Sequence, residues 1–461
     1  MSCNIFTSKL LFIPSFLMTM AFFFLNGCKY ISEDEIIIKD AQLKRGNNLI
    51  YQVEIELEDS GEIFIEYYQL QDTFRHYSPL LTGDHVIINL IGLKPEKNYE
   101  YIVHARIKDE KLQSPPLKFR SGELPEGLPE LTLRKKSFNF NGFILLKTFF
   151  NPGALILIDN QANVVWYHLY DTTTVRAFNY APDGTILSLV DSSKIEIRNF
   201  NDELIQELNT NSAGFDKLHH DLIQDEEGNV IGLSYTRKIM DLTSIGGVKS
   251  DTVNGDGIVV FNLKGDKIWE WDVFDHMDPL LDDSLMYLKN DWVHANSINF
   301  DQDGNFLLSL RNINQIWKVD RTNGQVLWKL GIGGDFLPHS PKRTFIHQHD
   351  VHINRFGDLM MFDNGLINRG FSRILSLKLN EKQLRWKSEI DIHLDKEHTT
   401  FRMGSARFID ENHILVSSPK RFMQISIMDT NGNILWNVLS NKSSYRAIYL
   451  DPEILHHHKW F

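Results

Sequence analysis

The sequence predicts an all-β protein in which a small β-sandwich domain precedes a six-bladed β-propeller. Three observations predict this fold. The chain of 461 residues is long enough for two domains. Residues 36–120 alternate in polarity without a repeat, whereas the part from residue 130 onward repeats two short motifs. No window has the pattern of a long amphipathic helix.

The first 27 residues are predicted to be a lipoprotein-type signal peptide. Lys9 precedes an apolar run, Leu10 to Leu25, that is too short for a membrane span. The run ends in Leu-Asn-Gly-Cys at 25–28, which resembles a bacterial lipobox. We therefore expect an exported protein anchored by a lipid on Cys28, in the outer membrane and facing the periplasm or the cell surface. An ordinary signal peptide is the alternative.

Composition excludes some functions. Cys3 and Cys28 are the only cysteines, so cleavage before Cys28 leaves no pair for a disulfide. The formal net charge is −12, from 48 Lys and Arg against 60 Asp and Glu. Nucleic acid is not an expected partner, since phosphate binding needs a basic surface.

Residues 29–125 are predicted to form a fibronectin- or immunoglobulin-like β-sandwich. Residues 51–57 and 63–68 are apolar at every second position, as half-buried strands require. Residues 93–103 resemble the Leu-x-Pro-x-x-x-Tyr corner of fibronectin type III domains, with Tyr99 as the tyrosine that bonds to the backbone. We expect this domain to act as a spacer or docking surface.

Residues 130–461 are predicted to form the propeller, because a tryptophan motif and a glycine turn alternate there. A turn followed by an apolar stretch ends in a Trp five times, and Gln206 takes the sixth position. Six such units of about four strands fit a closed propeller better than two ordinary β-sandwiches, which are the alternative. The Trp residues are expected to pack the blades; they are Trp166, Trp269, Trp328, Trp386 and Trp436.

Polar residues precede the predicted innermost strands of three consecutive repeats. The segments are His219-His220-Asp221, residues 291–297 (DWVHANS) continuing to Arg311, and residues 347–352 (HQHDVH), with a weaker one at residues 402–407. Histidines at corresponding positions of adjacent blades face one axis, so a convergent site is expected. The run His456–His458 is interpreted as a surface feature.

Two chemistries fit such a site. Three histidines on one axis suit Zn²⁺ or another transition metal. Alternatively, one histidine attacks as a nucleophile, while the others and Arg311 hold an anion. A non-catalytic surface lipoprotein that binds a ligand or partner is a third hypothesis.

Residues 291–331 resemble the hallmark segment of the bacterial PAPS-independent aryl sulfotransferases. That segment has Asp-Trp-x-His-x-Asn-Ser, a hydrophobic strand, Ser-x-Arg, and a strand ending in Trp-x-Leu-Gly. Residues 348–365 and 219–233 resemble two further motifs of this family, in the same order. The resemblance extends over residues 130–440.

The resemblance implies transfer of a sulfuryl group from a phenolic sulfate ester to a phenolic acceptor, by a ping-pong mechanism through a sulfohistidine. It implies His349 as the nucleophile, with His347 as a second candidate. His294 and Arg311 match the sulfate-binding and charge-stabilising positions. The remaining catalytic histidine is His220 or His219, and the substrate-binding candidates are His219, His347 and Asn296. No metal or cofactor is expected.

Overall fold

The computed structural model describes residues 18–19, 36–148, 152–170, 174–213, 217–338, 345–420, 422–442, 444–452 and 455. Apart from residues 18–19, the predicted signal peptide lies outside the described residues, as do Cys28 and the run His456–His458. The chain divides into two compact units between Leu124 and Pro125. Among the described residues, no helix is long and apolar enough to cross a membrane.

The N-terminal unit is built around one long strand, Asn47–Gln69. Its first half pairs with Ile36–Lys44 and Leu81–Leu90, and its second half pairs with Asn98–Ile107, all antiparallel. Buried residues alternate along the strand, so one of its faces packs into the core. The shorter described strands of this unit are Met18–Thr19, His76–Tyr77, Glu110–Gln113 and Leu117–Arg120.

A tyrosine fixes the turn before strand Asn98–Ile107. The Tyr99 hydroxyl accepts a hydrogen bond of 2.8 Å from the backbone N–H of Lys94. Tyr99 is buried, so this bond satisfies a polar group inside the core. The expected bond between the corner tyrosine and the backbone is present.

The described part of the C-terminal unit contains six sheets, each a blade of at least four strands. Their pairings are antiparallel, except that Leu337–Pro338 pairs in parallel with Arg385–His393. We number the blades 1 to 6 and give the strands from the innermost outward. Blade 1 is Ala447–Leu450, Phe143–Thr148, Gly153–Ile158 and Val164–Tyr170; blade 2 is Val175–Tyr180, Ile186–Val190, Lys194–Arg198 and Leu204–Asn209; blade 3 is Leu218–Gln224, Val230–Met240, Asp251–Phe261 and Lys267–Asp272; blade 4 is Ala295–Phe300, Phe306–Leu310, Gln315–Val319 and Val326–Gly331; blade 5 is His349–Ile353, Leu359–Asp363, Arg373–Asn380, Arg385–His393 and Leu337–Pro338; blade 6 is Ser405–Phe408, His413–Pro419, Met423–Asp429, Ile434–Ser440 and Leu131–Lys136.

The helices of the described chain are single turns in the connections. The α-helix is Leu285–Leu288, between blades 3 and 4. The 3₁₀ helices are Thr210–Ala213, Thr243–Ile245, Val273–Asp275, Pro279–Leu281 and Ile367–Arg369.

The repeat predicted from the sequence corresponds to the blades, and the six-bladed propeller is confirmed. Each of the five repeat tryptophans lies in the fourth strand of its blade, as Trp328 does in blade 4. The glycine turns join the first strand to the second. Gly304 has a φ of +81° there, a left-handed conformation that glycine adopts without strain.

The first and last described strands of the propeller pair with strands of two neighbouring blades, 6 and 1. The last described strand, Ala447–Leu450, pairs with Phe143–Thr148 and is the innermost strand of blade 1. Leu131–Lys136 pairs with Ile434–Ser440 at the outer edge of blade 6. Closure of the ring protects sheet edges that would otherwise be exposed. This exchange of terminal strands was not predicted from the sequence.

Candidate active site

The candidate histidines lie where the innermost strands of blades 3, 4 and 5 begin. His220, His294 and His347 have φ values of +54°, +52° and +56°. A left-handed backbone is uncommon for residues other than glycine and costs free energy, and such strain is concentrated at functional sites. The pairing of each inner strand with the next also shifts register near these residues. The strands therefore bulge where the candidate side chains are presented.

Hydrogen bonds between blades show which positions correspond around the ring. The backbone N–H of Ile298 donates to Asp221, and that of Val351 donates to Ser297. These equivalent bonds place Asp221 and Ser297 at the same position of their blades. His220, Asn296 and His349 therefore occupy one corresponding position in blades 3, 4 and 5. His294 and His347 occupy a second corresponding position, two residues before Asn296 and His349. The expectation that three histidines correspond was wrong for His294, which enters the site from the segment before its strand.

His220 and His294 contact each other, with ring centroids 4.6 Å apart. The Nδ1 atom of His220 lies 2.7 Å from Nδ1 of His219. On its other side, Nε2 of His219 is 3.0 Å from a carboxylate oxygen of Asp256. His219 thus lies between Asp256 and His220, whereas His220 faces the other candidate histidines.

His294 forms a pair with Asp291. The Nδ1 atom of His294 lies 2.5 Å from a carboxylate oxygen of Asp291. Although burial acts against it, the hydrogen bond and charge of His294 lower the pKa of Asp291. The carboxylate orients the imidazole through Nδ1, so that this contact does not engage Nε2.

His349 is buried, and both of its ring nitrogens have partners. Nδ1 lies 2.6 Å from Oδ1 of Asn364 and 3.0 Å from the carbonyl oxygen of His347. Both of these are acceptors, so Nδ1 carries the proton. Nε2 therefore holds the lone pair, and it accepts a 3.1 Å hydrogen bond from the backbone N–H of Met403.

Arg311 supplies the permanent positive charge of the group. Its guanidinium donates to Asn312 at 2.7 Å and to the carbonyl oxygen of Phe401 at 3.4 Å. It also lies 3.5 Å from Nδ1 of His347. A planar guanidinium suits an oxyanion such as a sulfate ester. The structure thus brings Arg311 and His347 together.

Asn296 is completely buried and connects inner strands. Its side-chain amide donates to the backbone carbonyl oxygen of Gln348 at 2.7 Å. Its backbone carbonyl oxygen accepts a hydrogen bond of 2.7 Å from the Tyr445 hydroxyl. Its side-chain oxygen, Oδ1, has no partner among the described residues. Asn296 therefore has a structural role, and its predicted role in substrate binding stays a prediction.

Three of the site histidines, His220, His347 and His349, are held in the neutral form. Burial, together with the charge of Arg311, lowers the pKa of His349 to about 3 and that of His347 to about 4. Burial and the neighbouring His219 hold the pKa of His220 well below its usual value. A neutral imidazole has a free electron pair at physiological pH, which a nucleophile needs.

A layer of charged residues next to the histidines was missed by the sequence-based prediction. The Arg446 guanidinium donates to both carboxylate oxygens of Asp221, at 2.9 and 2.8 Å. Its Nε atom lies 2.8 Å from Asp350, which also binds Arg407 at 2.8 Å. A useful indication was available: Arg446 directly precedes an apolar strand, as the candidate histidines do.

The histidines do not form a recognisable metal centre. Among the described residues, no group of three or more His, Cys, Asp or Glu side chains is arranged to hold a metal ion. The partners of the His349 nitrogens are an amide oxygen, a carbonyl oxygen and a backbone N–H. Nothing in this geometry favours the metal-dependent hypothesis.

Comparison with known proteins identifies a family and a group of similar folds. No curated protein matches the chain significantly. A protein of unknown function from Bacteroides caccae is 11% identical, with a TM-score of 0.45, over 67% of this chain and 99% of that one. Virginiamycin B lyase from Staphylococcus aureus is 10% identical, with a TM-score of 0.33, over 68% and 99%. YCF48 from Cyanidioschyzon merolae is 8% identical, with a TM-score of 0.36, over 70% and 99%.

The model of the arylsulfotransferase (ASST) family matches residues 135–384 of the 461-residue chain. This match covers more than half of the chain and includes His220, His294, Arg311 and His349. The protein therefore belongs to the arylsulfotransferase family.

Proposed function

We propose that the protein is a PAPS-independent arylsulfate sulfotransferase that works through a sulfohistidine at His349. Family membership supports aryl sulfotransferase activity and small-molecule aryl substrates in general. The state of His349 carries the more specific proposal. It is a buried, neutral imidazole whose proton is held on Nδ1 and whose Nε2 lone pair points away from Asn364.

In the first half-reaction, the Nε2 lone pair attacks the sulfur of the aryl sulfate. An N–S bond forms as the bond from sulfur to the aryl oxygen breaks, and the electron pair leaves with the phenolate. Nδ1 keeps its proton, so the sulfated ring is cationic and balances the charge of its sulfonate group. The hydrogen bond to Asn364 stabilises that cation.

The contact between His349 and Met403 must open before this attack. The Met403 N–H occupies the lone pair that the sulfur requires. One such hydrogen bond contributes a net free energy of about 0.5–1.5 kcal/mol. The charge-assisted hydrogen bonds of an anion bound beside Arg311 contribute more than this. Once displaced, the N–H is a donor for an oxygen of the transferring group.

His294 is the proposed proton donor and acceptor. In its protonated form it gives a proton to the departing phenolate oxygen, and its neutral form then takes the proton of the incoming phenol. The acceptor oxygen attacks sulfur, the N–S bond breaks, and its electron pair returns to Nε2 of His349. Asp291 orients His294 for both transfers.

Arg311 and His220 are the proposed partners of the sulfate oxygens. Arg311 offers a fixed charge where the transferring group develops negative charge. His220 is preferred over His219, because His220 contacts His294 whereas Nε2 of His219 faces Asp256 at 3.0 Å. His219 then acts on substrate through His220. His347 contacts Arg311 and likewise acts on substrate through that residue.

The remaining parts of the chain are proposed to deliver the enzyme to a membrane surface. Residues 1–27 are a lipoprotein signal peptide, and Cys28 is the lipid attachment site. The N-terminal unit is a fibronectin type III-like sandwich, which the Tyr99 corner supports. This unit is a spacer between the anchor and the propeller.

Turnover of p-nitrophenyl sulfate tests the proposed function. The purified protein should release nitrophenolate in a burst and then continue only with a phenol acceptor, and the intact mass should show one added sulfuryl group. His349→Ala should lose the burst and the added mass. His413→Ala, a change in the second strand of blade 6, is the control and should keep both.

Other outcomes would redirect the proposal. Release that needs no acceptor would identify a sulfate-ester hydrolase. A full burst in His349→Ala, with the added mass on His347, would move the nucleophile to that residue. No release from several aryl sulfates would favour a binding function for the propeller.

A further inference from the structure

Arg446 connects the two blades that carry His220 and His349. Its two terminal nitrogens bind Asp221, and its Nε atom lies 2.8 Å from Asp350. Asp221 directly follows His220, and Asp350 directly follows His349. One side chain therefore binds the neighbours of both histidines.

The three charged side chains are almost inaccessible to solvent. Side-chain exposure is 1% for Arg446, 1% for Asp221 and 0% for Asp350. A buried ion pair with two-pronged geometry holds its partners more rigidly than a surface pair does. Asp221 also accepts from the backbone of Leu222 and Ile298, so its carboxylate cannot follow Arg446 freely.

The backbone beside this cluster is strained. His220 has a φ of +54° and Asp350 has a φ of +52°. Such conformations persist only where surrounding contacts hold them. The hydrogen bonds from Arg446 to Asp221 and its ion pair with Asp350 are contacts of this kind on both sides of the site.

Charge does not explain why an arginine occupies this position. Arg446 and Arg407 together offset the two carboxylates of Asp221 and Asp350. The cluster thus adds little net charge to the anion site, where Arg311 supplies the positive charge. Its contribution is geometric.

We propose that Arg446 is a positioning residue that sets the separation of His220 and His349 by binding Asp221 and Asp350 at once. This inference rests on the proposed function for its effect on catalysis. Arg446 directly precedes the strand that closes the ring through blade 1. The residue that bridges Asp221 and Asp350 is therefore adjacent in sequence to the strand that closes the ring.

Arg446→Lys tests this proposal, because lysine keeps the charge and cannot bind both aspartates in the same way. A displacement of about 1 Å at a catalytic group can lower the rate about 100-fold. We expect kcat to fall about 100-fold while KM changes less than about threefold, with the burst amplitude giving the active fraction. Arg407→Lys, which affects Asp350 alone, is the matched control and should lower kcat less than about tenfold.

Histidine NMR gives a second measurement that does not need activity. The imidazole nitrogen resonances of both His220 and His349 should shift in Arg446→Lys, whereas Arg407→Lys should shift those of His349 and leave His220 unchanged. Unchanged His220 resonances, or equal kcat losses in the two variants, would overturn the proposal. If Arg446→Lys does not fold, Asp221→Asn should shift His220 and lower kcat instead.

The two proposals can fail separately. A wild-type protein without sulfuryl transfer would contradict the proposed function, while the NMR comparison would still decide the role of Arg446. A wild-type protein with transfer, and Arg446→Lys with normal kcat, would contradict only the positioning role.

Discussion

The backbone N–H of Met403 donates a 3.1 Å hydrogen bond to Nε2 of His349. Met403 is not a neighbour in sequence; it belongs to the segment before the innermost strand of blade 6. The hydrogen bond from Met403 to Nε2 and the hydrogen bond from Nδ1 to Asn364 together select one tautomer of the imidazole. The imidazole of His349 therefore has its lone pair on Nε2, and the Met403 N–H covers that atom.

Asp291→Asn should lower activity without unfolding the protein. The amide cannot stabilise a protonated His294 as the carboxylate does, and correct acid–base catalysis contributes about 10²- to 10⁴-fold. We expect kcat to fall within that range for aryl sulfates with poor leaving groups. The loss should shrink for nitrophenyl donors, whose phenolate leaves without a proton. An equal loss for all leaving groups would contradict the assignment of His294 as the proton donor.

Gly404→Ala should disturb the turn that holds Met403. Gly404 has a φ of +107°, and an added Cβ would lie 2.9 Å from a ring carbon of Phe362. Strain of this kind costs about 1–3 kcal/mol. Gly265→Ala is the control, since Gly265 also has a positive φ and its Cβ would meet no atom within 4 Å. Denaturant unfolding should show the larger loss for Gly404→Ala; equal losses would mean that contact with Phe362 does not matter.

The free energy of unfolding should fall as the pH is lowered below about 6.5. The pKa of His349 is about 3 in the folded protein, chiefly because of burial, whereas the pKa of an exposed histidine is about 6.5. Between these values the unfolded chain binds a proton and the folded chain does not, so stability rises with pH. Each such histidine contributes a slope of about 1.4 kcal/mol per pH unit.

His349→Gln isolates this contribution. Denaturant unfolding between pH 4.5 and 7.5 should give a shallower pH dependence for the variant than for the wild type. Identical slopes for wild type and His349→Gln would show that folding does not lower the pKa of His349.

Cys28→Ser should release the protein from the membrane fraction. The thiol is the proposed attachment atom for the lipid, and a hydroxyl does not replace it in this modification. Fractionation and labelling with a radioactive fatty acid would measure the effect, with Cys3→Ser as the control because Cys3 lies in the segment to be removed. Labelling that survives Cys28→Ser would contradict the proposed anchor.

The sequence by itself determined the architecture of the propeller and most of its candidate site. Tryptophan and glycine recur there because every blade needs the same outer-strand packing and the same tight turn, so the pattern is local and readable. The motif at residues 291–297 likewise places Asp291 and His294 on one short segment, where spacing alone brings them together.

Only the tertiary structure decided which residues from distant blades meet. Met403 contacts His349, and Arg446 bridges Asp221 and Asp350, because ring closure brings the innermost strands of all blades to one axis. Strand Ala447–Leu450 completes blade 1 far from its sequence neighbours, and no periodicity in the chain records that pairing. The proposed choice of His220 over His219 also needed the structure, since it depends on Asp256, which lies two strands away from His219 in blade 3.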